Sequence, residues 1–284
     1  MNQKIIYTII IFSLISVIPT AYGQLTIGSE LKQELIEVKI NLNGEINVKH
    51  IVSSSNMPGS VPLFTGEITN LIVTNNLGEE INSGIANDAK ENLSVMIFPS
   101  DETTTIKYNL ENMKLIGNLF SNNISYDQKF SVIFDESIKL VFVNDNVIFL
   151  DNKKGISING GGDAKIEFYS NESKIIKEVI WEENEFNVEI VTDSKIQSFN
   201  FNQPEKSISF QVNDENKFVT ITISEELLGG PYVILLNDEQ IKYTKFVRDG
   251  DIVSLNLKPE TTGQVKIIGT TVIPEFSMFI PLIM

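Results

Sequence analysis

The chain has 284 residues, with 22 basic against 37 acidic side chains, a net charge of −15, one histidine and no cysteine. Such an acidic surface repels phosphate backbones, which argues against nucleic-acid binding. Without cysteine there are no disulfides, thiol nucleophiles, iron–sulfur clusters or thiolate zinc sites, and with one histidine no site can draw two imidazoles from the chain.

The first 23 residues read as a signal peptide. Lys4 precedes a mostly apolar run, Ile5–Ile18, which Pro19 breaks, and Ala21-Tyr22-Gly23 supplies small residues for a peptidase. The run has 14 residues, short of the roughly 20 that span a bilayer. Cleavage between Gly23 and Gln24 is therefore expected, leaving 284 − 23 = 261 residues outside the cytoplasm. In an exported chain Asn92-Leu93-Ser94, Asn123-Ile124-Ser125 and Asn171-Glu172-Ser173 become glycosylation candidates, at Asn92, Asn123 and Asn171. Ordinary polar loop residues would read the same way.

From Glu34 onward the hydrophobic period is two, the mark of half-buried strands. Ile36, Val38, Ile40 and Leu42 alternate with polar residues; after Asn43-Gly44, Ile46, Val48, His50 and Val52 resume the pattern. Pairing Leu42 with Ile46 across three residues puts both apolar sets on one face. His50 then points into the core, as a packed residue rather than a ligand or base. Further strands are expected at Glu67–Thr74, Leu93–Phe98, Thr104–Leu110 and Lys129–Phe134. A hairpin follows, Ile138–Val143 and Val147–Leu150, around Asn144-Asp145-Asn146. Its arms are apolar on both faces, so it must lie in the interior or under another layer.

Gly160-Gly161-Gly162 marks a turn before the strand Lys165–Tyr169, and the composition dips at Ser170–Ser173, where a domain boundary is placed. Alternation resumes with Phe186, Val188 and Ile190, then Ile208, Phe210 and Val212, then Val219, Ile221 and Ile223, and finally Val253, Leu255 and Leu257. Ser224 caps a helical turn to Leu228 that Gly229-Gly230-Pro231 ends. The expected fold is all-β, with two tandem antiparallel β-sandwich-like domains at residues 24–170 and 174–271 and a tail at 272–284.

Catalytic chemistry finds little purchase. A histidine-based triad would hang on His50 alone, and Gly160-Gly161-Gly162-Asp163 lacks the lysine of a phosphate loop. A glycosidase needs a carboxylate pair, and nothing singles one out among the 37 acids. The expectation is a non-enzyme with no catalytic, cofactor-binding or metal-ligating residue assigned. Calcium suits the oxygen-rich turns Asn144-Asp145-Asn146, Asn213-Asp214-Glu215 and Asp249-Gly250-Asp251, although β-turn geometry alone accounts for them. Tyr169, Trp181 and Tyr232 are the aromatics that an extracellular carbohydrate- or peptide-binding module would use, set against their alternative place in a core.

The chain closes on Pro274-Glu275-Phe276 followed by apolar Ser277–Met284. This ending resembles the archaeal PEF-CTERM sorting signal, in the variant of ammonia-oxidising archaea that usually reads Pro-Glu-Phe-Gly; Ser277 takes the glycine's place. Leu227–Tyr232 and Gly263–Val272 are similar to the β-domain that often precedes that tail. The resemblance implies an exported surface protein with an envelope, adhesion or display role, whose partners are envelope components or surface glycans. It also implies either a frame continuing past Met284 through apolar residues to Lys or Arg or a lost anchor and a secreted protein, because Ser277–Met284 rises about 12 Å as a helix against a hydrocarbon core of about 30 Å.

Overall fold

A computed structural model of the chain describes residues 29–87, 93–150, 153–170, 174–181, 183–248 and 250–270. The first stretch of strands is β1 (Gln33–Ile40), β2 (Ile46–Val52), β3 (Gly59–Pro62), β4 (Ile68–Thr74), β5 (Ser83–Asn87), β6 (Leu93–Ile97) and β7 (Thr104–Leu110). Next come β8 (Lys114–Ile116), β9 (Leu119–Tyr126), β10 (Phe130–Phe134), β11 (Leu140–Val143), β12 (Asn146–Phe149), β13 (Gly155–Ile158) and β14 (Gly162–Tyr169). The remainder holds β15 (Lys174–Trp181), β16 (Asn184–Thr192), β17 (Ile196–Asn202), β18 (Ser207–Val212) and β19 (Val219–Ser224). It closes with β20 (Val233–Leu236), β21 (Glu239–Gln240), β22 (Tyr243–Val247), β23 (Ile252–Leu257) and β24 (Gly263–Ile268). Among the described residues no helix is long and apolar enough to cross a membrane.

The fold is all-β, in two sandwich-like domains. In the first, the sheet β13-β10-β1-β2-β7-β4 faces the sheet β12-β11-β14-β9-β8, and a small sheet β3-β6-β5 lies beside them. Val38, Ile40, Val48, Ile106 and Val132 from one large sheet meet Ile124, Val141, Ile166 and Phe168 from the other in a single core. In the second, β15-β16-β19-β23-β22 packs on β17-β18-β24-β20-β21 around Val188, Phe210, Ile221, Leu255 and Ile267. Among the described residues no sheet joins strands from before residue 170 to strands after it. Among the described residues the strands pair antiparallel except β1 and β10, which run parallel, and the isolated bridge Glu30–Ser60 is parallel too.

The first hairpin departs from the expected register. Ile40, not Leu42, pairs with Ile46. Asn41 closes the loop instead: its side-chain oxygen accepts the N–H groups of Asn43 and Glu45 at 3.0 and 2.9 Å, and its own N–H donates to the Glu45 carbonyl. The chain thus leaves the ladder two residues early, and because two is the side-chain period the inward face is unchanged. Leu42 is left exposed. The same five-residue loop recurs at Asn75–Glu79, where Asn75 accepts from Leu77 and Glu79 and its N–H donates to Glu79.

A larger repetition lies in the topology. The order β8-β9-β14-β11-β12 in the first domain is matched by β17-β18-β24-β20-β21 in the second, and β10 lies beside β13 as β19 lies beside β23. Turn chemistry repeats as well. Asn144 and Asn237 both take positive φ, each donates its N–H to the neighbouring strand (Lys165, Gln264), and each accepts that residue's N–H on its side chain. Asp135 and Ser224 each accept the N–H two residues on with the side chain and the N–H three residues on with the carbonyl. Ser224 therefore caps the single turn before Leu228 as its sequence suggests.

Gly161 shows why the triple-glycine turn is glycine. At φ +72° an added Cβ would stand 2.6 Å from the backbone of Asp127, whereas at Gly160, with φ +84°, it would meet nothing within 4 Å. Both substitutions carry the left-handed backbone cost of about 1–2 kcal/mol. Thermal denaturation should show Gly161→Ala costing clearly more than Gly160→Ala, since only the former also displaces backbone. Equal costs would mean that the turn gives way freely.

Candidate functional site

His50 comes first, as the only histidine and the only side chain whose ordinary titration lies near neutrality. Alternation places it inward on β2, where it is fully buried beneath Phe64, Tyr108 and Tyr126, with ring centroids 5.6–5.9 Å away. Its Nδ1 lies 2.6 Å from Gln33 Oε1 and its Nε2 3.0 Å from the Tyr108 hydroxyl. An amide oxygen can only accept, so Nδ1 carries the proton and Tyr108 donates to Nε2. The chain of bonds is complete: Phe64 N–H donates to Tyr108, and Gln33 Nε2 donates to Tyr126, which donates to the Pro62 carbonyl. Burial lowers the imidazole pKa from 6.5 to about 3 and pushes both tyrosines up. A group this dry and fully engaged holds a core together.

The hairpin β11–β12 does lie under another layer, and that layer is the second domain. Its inward side chains, Val141, Val143 and Leu150, belong to the first core. Its outward ones, Leu140, Phe142 and Val147, with Phe149 beside them, join Leu119, Tyr169, Val191 and Phe218 in a separate apolar cluster between the domains. Phe142 stacks on Phe218 at 3.7 Å with the rings 8° from parallel. Phe149 meets Phe246 edge-on, and the Arg248 guanidinium lies 4.9 Å over Phe149. The Tyr169 and Thr192 hydroxyls both donate to the Phe218 carbonyl.

Beside this cluster runs an open groove of about 920 Å³, with Asp145 and Asn146 of the first domain on one wall and Tyr243, Thr244, Asn256 and Lys258 of the second opposite. Asp145 pairs with Lys258 at 2.6 Å across the joint, and the hydrogen bond from that ammonium holds the carboxyl below its ordinary pKa. Asn256, 4% exposed, accepts the Thr220 hydroxyl at 2.9 Å. It lines the groove. Tyr243 is held by donating its hydroxyl to the Tyr232 carbonyl.

The other sequence candidates fare unevenly. Tyr169 and Tyr232 are buried, the latter donating to the Leu228 carbonyl, so neither offers a face to a ligand; Trp181 is half-buried against Phe201. For Tyr169 and Tyr232 this is the place in a core set against the binding reading: alternation points Tyr169 outward, but the second domain covers that face. In the turns offered for calcium, Asn144 is spent on Lys165, Asp145 on Lys258, and Asp214 on Ser194 and the Lys195 N–H. Among the described residues no three His, Asp or Glu side chains gather as a metal site would require. Asp249 lies outside the described residues, as do Asn92, Asn171, the cleavage site Gly23–Gln24 and the motif Pro274-Glu275-Phe276. Asn123 is exposed on the outer face of β9. The groove was missed because its two walls are far apart in sequence. No protein-family model matches the chain, and no curated protein matches it either.

Proposed function

We propose that the protein is a non-enzymatic surface or secreted protein with an envelope, adhesion or display role, exported by residues 1–23 and related to the PEF-CTERM proteins through Pro274-Glu275-Phe276. The observation that carries this reading is the burial of His50: the one side chain suited to neutral-pH acid–base work is consumed as a core hydrogen-bond link. The apolar joint supports it too, because two domains packed through Phe142 and Phe218 resist relative motion, as a display scaffold requires. Exposed Asn123 is then a candidate glycan attachment point on an outer sheet face.

An epitope inserted at the exposed Gly160 turn reports the location. The expected result is tagged protein in the envelope or the medium, with Gln24 as its N-terminal residue by mass spectrometry. Recovery from the cytoplasm with Met1 retained would overturn the reading.

A further inference from the structure

We propose that Asn159 is a site of self-modification, where the Gly160 nitrogen attacks the asparagine side chain and turns it into aspartate and isoaspartate. The Gly160 nitrogen gives up its proton and forms a bond to Asn159 Cγ. The Cγ–Nδ2 bond breaks, and the side-chain nitrogen leaves as ammonia, carrying that proton. Water then opens the imide ring at either carbonyl, which yields aspartate or its β-linked isomer. Nothing is oxidised or reduced, and water is the one co-reactant.

The chain holds two Asn-Gly pairs, Asn43-Gly44 and Asn159-Gly160. In both, glycine leaves the attacking nitrogen unscreened by a side chain. The structure separates them. At the first pair the Gly44 N–H donates to the Asn41 carbonyl at 3.0 Å, and the Asn43 N–H donates to Asn41 Oδ1 at 3.0 Å. Gly44 is also buried, and a Cβ there would stand 2.6 Å from the Phe120 ring and 3.1 Å from Met113. Its backbone has no room to fold back on Asn43.

Asn159 and Gly160 are both exposed, and a Cβ at Gly160 would meet nothing within 4 Å. The Gly160 N–H has no backbone acceptor among the described residues. No ladder spans this turn either, because β13 and β14 belong to different sheets. The nitrogen is therefore free to approach its target. The β-linked product lengthens the backbone by one carbon two residues before Gly161, where even an added Cβ would stand 2.6 Å from the backbone of Asp127. Modification thus loosens the crossover from one sheet to the other.

The test incubates the full chain at mildly alkaline pH, folded and in urea, and follows both asparagines by peptide mass spectrometry. In the folded chain Asn159 should convert at least about tenfold faster than Asn43, the protection that about 1.4 kcal/mol of local order gives. In urea the two rates should converge. Hydroxylamine, which cleaves the imide, should cut the folded chain after Asn159 and spare Asn43. Gly160→Ala, which screens the nitrogen where the turn has space for a Cβ, should slow Asn159 and leave Asn43 unchanged. Equal rates in the folded chain, faster loss of Asn43, or an Asn159 that reacts only in urea would overturn the proposal. So would an Asn159 rate that Gly160→Ala does not alter.

Discussion

Replacing Phe142 with alanine is expected to cost about 3–5 kcal/mol, the range for deleting a fully buried aromatic side chain, and to split one calorimetric unfolding transition into two. Phe142 is wholly buried, stacks on Phe218 at 3.7 Å and meets Tyr169 edge-on at 5.9 Å. It therefore sits at the centre of the apolar contact through which each domain stabilises the other, and an apolar joint of this kind makes two domains unfold as one. The chain supplies its own control. By strand register Leu235 occupies on β20 the place that Phe142 occupies on β11, but no domain covers it and it is only half-buried. Leu235→Ala should cost no more than about 1.5 kcal/mol and leave the transition single. Comparable losses at the two positions, or an undivided transition in Phe142→Ala, would show that the joint does not couple the domains.

Acid should destabilise the first domain through His50. Burial holds its folded pKa at about 3 against 6.5, so the folded protein refuses a proton that the unfolded chain accepts once the pH drops below about 6.5. The stabilisation tied to this group is complete above that pH, erodes by about 1.4 kcal/mol per pH unit below it, and amounts to about 5 kcal/mol in total by the folded pKa. Carboxylates protonate over part of the same window, so the measurement is a comparison. Urea unfolding of the natural chain and of His50→Gln at about pH 7 and about pH 4 should show their stability difference shrinking by about 3 kcal/mol. Parallel pH dependences would mean that His50 takes up its proton without unfolding the core.

Much of the fold is legible in the residues because strand alternation is a local signal. Val38, Ile40, Val48, His50 and Val52 all point inward as their spacing demands. Where the signal fails, the reason is specific. β9 carries Asn122 on its inner face, bonded to Asn112, and a polar residue there breaks the alternation. β15 reads Lys174-Ile175-Ile176-Lys177-Glu178-Val179-Ile180-Trp181, with apolar pairs that hide a period of two although Ile176 and Ile180 are exposed. The first loop was legible in principle. Its Asn-x-x-Gly-Glu pattern occurs at both Asn41–Glu45 and Asn75–Glu79, and an asparagine that can accept two N–H groups sets the loop length.

The two hairpins of the repeated unit divide what sequence determines from what only the fold decides. Their inward residues, Val141, Val143, Ile148 and Leu150 against Ile234, Leu236, Ile241 and Tyr243, are apolar in both copies, because each must close its own core. Their outward residues differ: Leu140, Phe142, Val147 and Phe149 in the first copy stand against Val233, Leu235, Gln240 and Lys242 in the second. From sequence alone the first hairpin had to be covered on both sides, since such a ribbon cannot face water. Which element covers it depends on residues far along the chain, Phe218 and Phe246 among them. The same holds for the groove, because Asp145 and Lys258 are 113 positions apart. Alternation and turn chemistry act between neighbours and are written locally. The joint and its groove come from packing between surfaces, and the chain carries no local mark of which surfaces will meet.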